Sequence, residues 1–113
     1  MKFRDYFSKT FESSDNHYIL SLQTHYYRSG YEKIIDAVLN VLKEMQAKED
    51  NVDRDRGEII VDAANFSGTI TVLQSYTLGN SVDIAVLTYN FLPTGKGKKI
   101  IEEFYSRLDK HLL

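Results

Sequence analysis

The sequence predicts an α+β domain: an antiparallel sheet of about five strands with two helices on one face, in the order β-α-β-β-β-β-α. Two stretches follow the helical period, several others alternate as half-buried strands do, and the turns between strands are short. The chain has 113 residues, of which 42% are apolar and 27% charged, a composition typical of one folded core. We therefore expect a single domain over residues 1–113, with an N-terminal segment at 1–16 and an α+β core at 17–113.

The N-terminal segment contains aromatic residues at helix-like spacing, namely Phe3, Tyr6, Phe7 and Phe11. This spacing predicts a short amphipathic helix or turn with one aromatic face. Alternation over residues 17–27 then predicts strand 1.

The first helix is predicted from a capping box at Ser29-Gly30-Tyr31-Glu32, in which the Ser29 hydroxyl and the Glu32 carboxylate satisfy free amides of the first turn. An apolar stripe follows, and the helix is expected to end near Lys48. Its members are Ile34, Ile35, Val38, Leu42 and Met45.

Strands 2 to 5 are predicted at residues 51–55, 58–64, 69–78 and 81–92. Glycines at Arg56-Gly57, Gly68 and Gly79-Asn80 mark the turns between them. Pro93 stops the sheet, because proline lacks the amide that a ladder needs. A second helix begins at about Gly97, and its stripe is Ile100, Ile101, Phe104, Tyr105, Leu108 and Leu112.

This order of elements over residues 18–113 resembles one repeat of the TATA-box-binding protein fold. It also resembles a shortened helix-grip domain, a class that holds apolar ligands between the sheet and the terminal helix. The stretch Asp53-Arg54-Asp55-Arg56-Gly57-Glu58-Ile59-Ile60-Val61 is similar to small uncharacterised bacterial domains. These resemblances imply a fold, and they carry over no site residue.

Composition excludes several classes of function. The chain has no cysteine and a net charge of −2, so disulfides, thiolate chemistry and cysteine-ligated zinc are absent. A weak negative charge also disfavours general nucleic-acid binding. Without a signal peptide or an apolar run of membrane-spanning length, we expect a cytoplasmic protein that does not enter membranes. No catalytic, cofactor-binding or metal-ligating residue is predicted.

Three groups of residues attract a chemical interpretation. His17 and His25 share a strand face but lie about 26 Å apart at about 3.3 Å per residue, too far to bind one ion, so they are surface histidines. The acidic and basic run 49–58 is a solvated turn. The segment Gly95-Lys96-Gly97-Lys98 at a helix start is a candidate anion site, although the Walker motif is absent and a Gly-rich turn is common there.

The most informative region is residues 63–93, in which Asp83 is the one charged residue. If Val82, Ile84 and Val86 face the helices, the intervening side chains form a second face that is semi-apolar and nearly free of Lys and Arg. The residues predicted to serve as an interface or ligand surface on this face are Leu73, Ala85, Leu87, Tyr89 and Phe91, with His25 and Tyr27 added from strand 1.

Something should cover this second face. The alternatives are the N-terminal segment through Phe3, Phe7 and Phe11, a second copy in a homodimer, and a ligand or another macromolecule. The function expected first is therefore non-catalytic binding or self-association. The second is a carrier of a small apolar ligand between sheet and helix 2, in a pocket lined by Tyr18, Tyr26 and Tyr105. The third is an enzyme whose site the sequence does not reveal.

Overall fold

The protein is described by a computed structural model over residues 10–14, 22–75, 79–89 and 95–113. These residues form an antiparallel sheet and two helices. The helices are α1 (Tyr31–Glu44) and α2 (Lys96–Leu112). The strands are β1 (Thr10–Glu12), β2 (His25–Tyr27), β3 (Lys48–Asp53), β4 (Glu58–Asp62), β5 (Phe66–Leu73) and β6 (Asn80–Thr88).

The sheet has five positions across its width. β1 and β2 both pair with β6, β1 with residues 85–87 and β2 with residues 80–82, so the two short strands share one edge position. From there the order is β6-β5-β4-β3, and every pair is antiparallel. The predicted fold class is confirmed.

Both helices cover one face of the sheet. β4, β5 and β6 bury every second residue against them, and the intervening residues lie on the opposite face, which we call the open face. This register confirms the predicted inward set of strands 4 and 5. The inward strand residues are Ile59, Val61, Ile70, Val72, Val82, Ile84 and Val86, and the helices contribute Ile34, Ile35, Val38, Val41, Leu42, Ile101, Phe104, Tyr105 and Leu108. None of the described helices is long and apolar enough to cross a bilayer.

The β3–β4 turn needs its glycine. Gly57 has φ +71°, and a Cβ at this position would lie 2.1 Å from the carbonyl oxygen of Val72. The turn is closed further by Asp53, whose Oδ1 accepts the amides of Asp55 and Arg56 at 3.1 Å. This agrees with the tight hairpin predicted from Arg56-Gly57.

The predicted cap of the first helix is wrong. Gly30 is the N-cap of α1 and makes no side-chain cap hydrogen bond, so Ser29 lies one residue too early for a capping box. The helix also ends before Lys48. Gln46 adopts φ +58°, and the Ala47 amide donates to the Leu42 carbonyl at 2.8 Å, which is the Schellman arrangement that ends a helix.

The N-terminal half of the sheet also differs from prediction. Phe11, which its aromatic spacing placed in a helix or turn, belongs to β1. Of the strand predicted at 17–27, residues 22–24 are described and are not strand, and only His25–Tyr27 form one. Residues 1–9 and 15–21 lie outside the described residues. Pairing to β6 is long-range, so local spacing does not report it. The bounds of the other strands lie within five residues of those predicted, and the start of β4 at Glu58 is as predicted.

A polar seam fills the gap that β1 and β2 leave along β6. Ser13 Oγ donates to Asp83 Oδ1 at 2.8 Å and accepts from the Ile84 amide at 2.9 Å, while Thr24 Oγ1 donates to the same Asp83 oxygen at 2.6 Å. From the helix side, the Tyr105 hydroxyl lies 2.6 Å from the Val82 carbonyl oxygen and 2.8 Å from Ser13 Oγ. The seam satisfies backbone groups that a continuous strand would otherwise have paired.

Candidate functional site

The open face presents large apolar side chains to solvent. Ile60 is 43% exposed and Leu87 44%, and Leu73 and Tyr89 are each 54% exposed. No described helix lies over them. An antiparallel sheet that meets water on one face normally carries polar side chains there, so this exposure distinguishes the open face from an ordinary solvated one.

Three of these side chains line one groove of about 490 Å³. Cross-strand pairing explains why they meet: Ile60 pairs with Thr69, which pairs with Ala85, and Leu87 is next but one to Ala85 along β6. Tyr89 follows the end of β6 and continues the line. The groove is therefore fixed by β4, β5 and β6, the best-paired strands of the sheet.

Carboxylates border the groove. Asp50, which is the extra residue of a β3 bulge, and Asp62 line it directly, and Asp62 Oδ1 accepts from the Tyr89 hydroxyl at 3.3 Å. Glu12 and Asp83 line an adjoining recess of about 170 Å³ that shares Thr69 and Ala85 with the groove.

Four of the seven predicted surface residues lie where expected. Leu73, Ala85, Leu87 and Tyr89 are on or beside the open face, and Phe91 lies outside the described residues. The sequence interpretation missed Ile60, Glu58 and Asp62. The alternation of β4, with Ile59 and Val61 buried, could have placed all three on the open face.

His25 and Tyr27 are not on the open face, and this prediction is wrong. His25 pairs directly with the inward residue Val82, and Tyr27 is 2% exposed. The prediction assumed one strand over residues 17–27, but within the described part of this stretch only His25–Tyr27 form a strand, so the alternation of the longer stretch does not fix its register. The tertiary contacts to α2 decide it.

These contacts form a second cluster at the junction of β2 and α2. The Tyr27 hydroxyl donates to Asp109 Oδ1 at 2.7 Å, and His25 Nδ1 lies 3.3 Å from the same oxygen. The His25 ring stacks on Tyr105, with centroids 3.7 Å apart and planes at 8°. Burial, reinforced by the hydrogen bond to Asp109, raises the pKa of Tyr27; burial also raises the pKa of Tyr105. Both phenols therefore stay neutral, and the cluster fastens β2 to α2.

The pocket expected for an apolar-ligand carrier is not assembled by the described residues. Tyr105 is 2% exposed, with its hydroxyl bonded inside the seam, whereas Tyr26 pairs with Ser81 and points to the other side of the sheet. Tyr18 lies outside the described residues. A shallow recess of about 390 Å³ does open beside His25, Ser106 and Asp109, but no three metal-ligating side chains converge anywhere in the described chain.

The candidate anion site is partly occupied by internal contacts. Gly95 caps α2 with φ +71°, and both Gly95 and Gly97 are buried. Lys98 forms an ion pair with Glu102 at 3.0 Å, while Lys96 is exposed. The run 49–58, predicted as a solvated turn, is mostly strand: residues 49–53 belong to β3 and Glu58 begins β4, so only residues 54–57 form the turn. Within the turn, Arg54 forms ion pairs with Glu32 and with Asp36 of α1.

Comparisons with protein-family models, with characterised proteins and with solved structures find no match. The resemblances to the TATA-box-binding protein repeat and to helix-grip domains therefore stay predictions. Any account of function has to come from the open face and the β2–α2 cluster themselves.

Proposed function

We propose that this domain is a non-catalytic binding module whose open face docks another polypeptide. The observation that carries the proposal is the exposure of Ile60, Leu73, Leu87 and Tyr89, at 43–54% each, on or beside a face without a described helix over it. Exposed apolar side chains gathered on one surface mark interaction sites more often than scattered ones do.

β3 is an edge strand among the described strands, and this edge is a poorer docking surface than the open face. β3 has the sequence KEDNVD and contains a bulge at Asp50. Charged side chains and bulges are the features by which natural edge strands resist the addition of a further strand. A partner therefore gains more by packing on side chains of the open face than by extending the sheet.

The shape and chemistry of the face favour a polypeptide over other ligands. Small-molecule sites enclose most of their ligand, whereas the groove over Ile60, Leu87 and Tyr89 is open along the sheet. Nucleic-acid surfaces combine apolar wedges with Lys and Arg. By strand register, Lys48 is the one basic residue of the described open face.

An array of random 12-residue peptides tests this function directly. The wild type is compared with the double variant Ile60→Ser/Leu87→Ser and with Leu113→Ser, which changes a residue 86% exposed at the chain end. We expect the wild type and Leu113→Ser to bind the same peptides and the double variant to lose them. The proposal would be refuted if the double variant kept all of the peptides that the wild type binds, or if the wild type bound no peptide.

Sedimentation velocity on the same three proteins tests the homodimer predicted from the sequence. A wild-type dimer that Ile60→Ser/Leu87→Ser converts to a monomer would identify a second copy as the polypeptide on the open face. A monomeric wild type that still binds peptides would assign the face to another partner.

A further inference from the structure

The carboxylates of the open face differ from those of the helices in their partners. On the helices, Glu32 and Asp36 contact Arg54, Glu44 contacts Arg107 and His111, and Asp109 contacts His25. Glu102 and Glu103 also form ion pairs, with Lys98 and Arg107. Every helical carboxylate of the described chain thus has a basic partner.

Five carboxylates on or bordering the open face form no ion pair with a described residue. They are Glu12, Asp50, Glu58, Asp62 and Asp83. Strand register places Glu12 beside Ala85, Glu58 and Asp83 on either side of Thr71, and Asp62 and Leu87 on either side of Ser67. Lys48, directly opposite Asp62 across β3–β4, is the one basic residue that strand register places on the described part of this face, so the apolar groove lies inside a border of net negative charge.

From this arrangement we infer that the partner is cationic: a polypeptide that presents apolar side chains flanked by Lys or Arg. The inference rests on the proposed function, because charge alone does not make a docking surface. Apolar side chains would fill the groove over Ile60 and Leu87, and the basic groups would meet the bordering carboxylates. Complementary charge of this kind chiefly selects the partner and raises the association rate.

The same border disfavours a second copy as the partner. Two open faces brought together would oppose their carboxylates, and like charges that face each other in an interface oppose association. The salt dependence of binding distinguishes a cationic partner from a second copy. Screening weakens the binding of a cationic partner, whereas it strengthens the association of two acidic faces.

The test uses three synthetic 12-residue peptides that share the same leucines and differ in four positions, which are all Lys, all Gln or all Glu. Their affinities are measured by fluorescence anisotropy at low and high salt. We expect the Lys peptide to bind the wild type at least about tenfold more tightly than the Gln peptide, the Glu peptide not to bind, and the tenfold preference to shrink as salt is added.

Charge-neutral variants of the protein locate the effect. Glu58→Gln/Asp62→Asn removes two charges from the border and keeps side-chain oxygens that accept hydrogen bonds. Asp55→Asn/Glu103→Gln removes two charges elsewhere and serves as the matched control. We expect the first pair to weaken binding of the Lys peptide about three- to tenfold, and the control pair to change it less than about twofold.

The outcomes separate this inference from the function on which it rests. If Ile60→Ser/Leu87→Ser abolishes binding while all three peptides bind equally and Glu58→Gln/Asp62→Asn has no effect, the docking face stands and the cationic partner is refuted. If no peptide binds, or Ile60→Ser/Leu87→Ser leaves binding unchanged, both proposals fail. If the protein self-associates and the association strengthens with salt, the cationic partner is refuted and a second copy is the partner of the open face.

Discussion

The two faces of the sheet are made by the same strands and meet opposite environments. On the covered face, Val82, Ile84 and Val86 are at most 4% exposed and pack under the helices, whereas Leu87, on the open side of the same strand, is 44% exposed. Polar groups on the covered side are tied into specific contacts, such as the pair between Tyr27 and Asp109. The five carboxylates that border the groove on the open side form no ion pair with a described residue.

This contrast separates the residues that make the fold from those that are available for function. The covered face contains nearly all of the apolar area removed from water, which is the main source of folding free energy. The open face contributes little of that area, so its apolar and acidic side chains are better explained by binding than by stability. The two sets should respond differently to substitution.

The largest expected effect is from Phe104→Ala on the covered face. Phe104 is fully buried, with its ring centroid 5.5 Å from that of Tyr105, so truncation leaves a large cavity and should lower the free energy of unfolding by about 3–5 kcal/mol. Leu87→Ala on the open face should change it by less than about 1 kcal/mol. Urea unfolding measures both changes. If the two variants lost equal free energy of unfolding, the two faces would not differ in their contribution to stability.

A medium effect is expected from Tyr27→Phe, which removes one hydroxyl from the β2–α2 cluster. The hydroxyl donates to Asp109 at 2.7 Å, so its loss should cost about 1–2 kcal/mol. Tyr89→Phe is the matched change on the open side, where the hydroxyl of an exposed side chain reaches Asp62 at 3.3 Å. It should cost less than about 0.5 kcal/mol. If both variants unfold at the same urea concentration, Tyr27 does not fasten β2 to α2.

Much of the fold follows from the spacing of apolar residues. The helical spacing of Ile101, Phe104 and Leu108 defines one apolar face of α2. The alternation of Val82, Ile84 and Val86 defines one apolar face of β6. In the structure, these two faces are buried against each other. Four of the predicted surface residues, including Leu87, follow from the same alternation.

The remaining features depend on contacts that are distant in sequence. β1 exists because it pairs with β6, about 75 residues later, and no local spacing reports such a pairing. His25 and Tyr27 face α2, where both contact Asp109 Oδ1, a residue more than 80 positions later in the chain. The acidic border was missed for a different reason: Glu58 was interpreted with the neighbouring turn and Asp62 was given no role, although the burial of Ile59 and Val61 places both on the open face.

The smallest expected effect is from Ser29→Ala. Because Gly30 is the N-cap and no side chain caps α1, removal of the Ser29 hydroxyl should lower the free energy of unfolding by less than about 0.5 kcal/mol. A loss of about 1 kcal/mol, the usual value for a capping hydroxyl, would show that Ser29 caps α1 after all. Thermal melts of the two proteins are sufficient to decide.

The account's central claim is that the open face, and not the β2–α2 cluster, is the binding surface. The most direct measurement is an amide ¹H–¹⁵N titration of the wild type with the Lys-containing peptide. We predict that the shifts concentrate at Ile60, Asp62, Leu87 and Tyr89 while His25 and Asp109 stay unchanged. Shifts centred on His25 and Asp109, or spread evenly over both faces of the sheet, would contradict it.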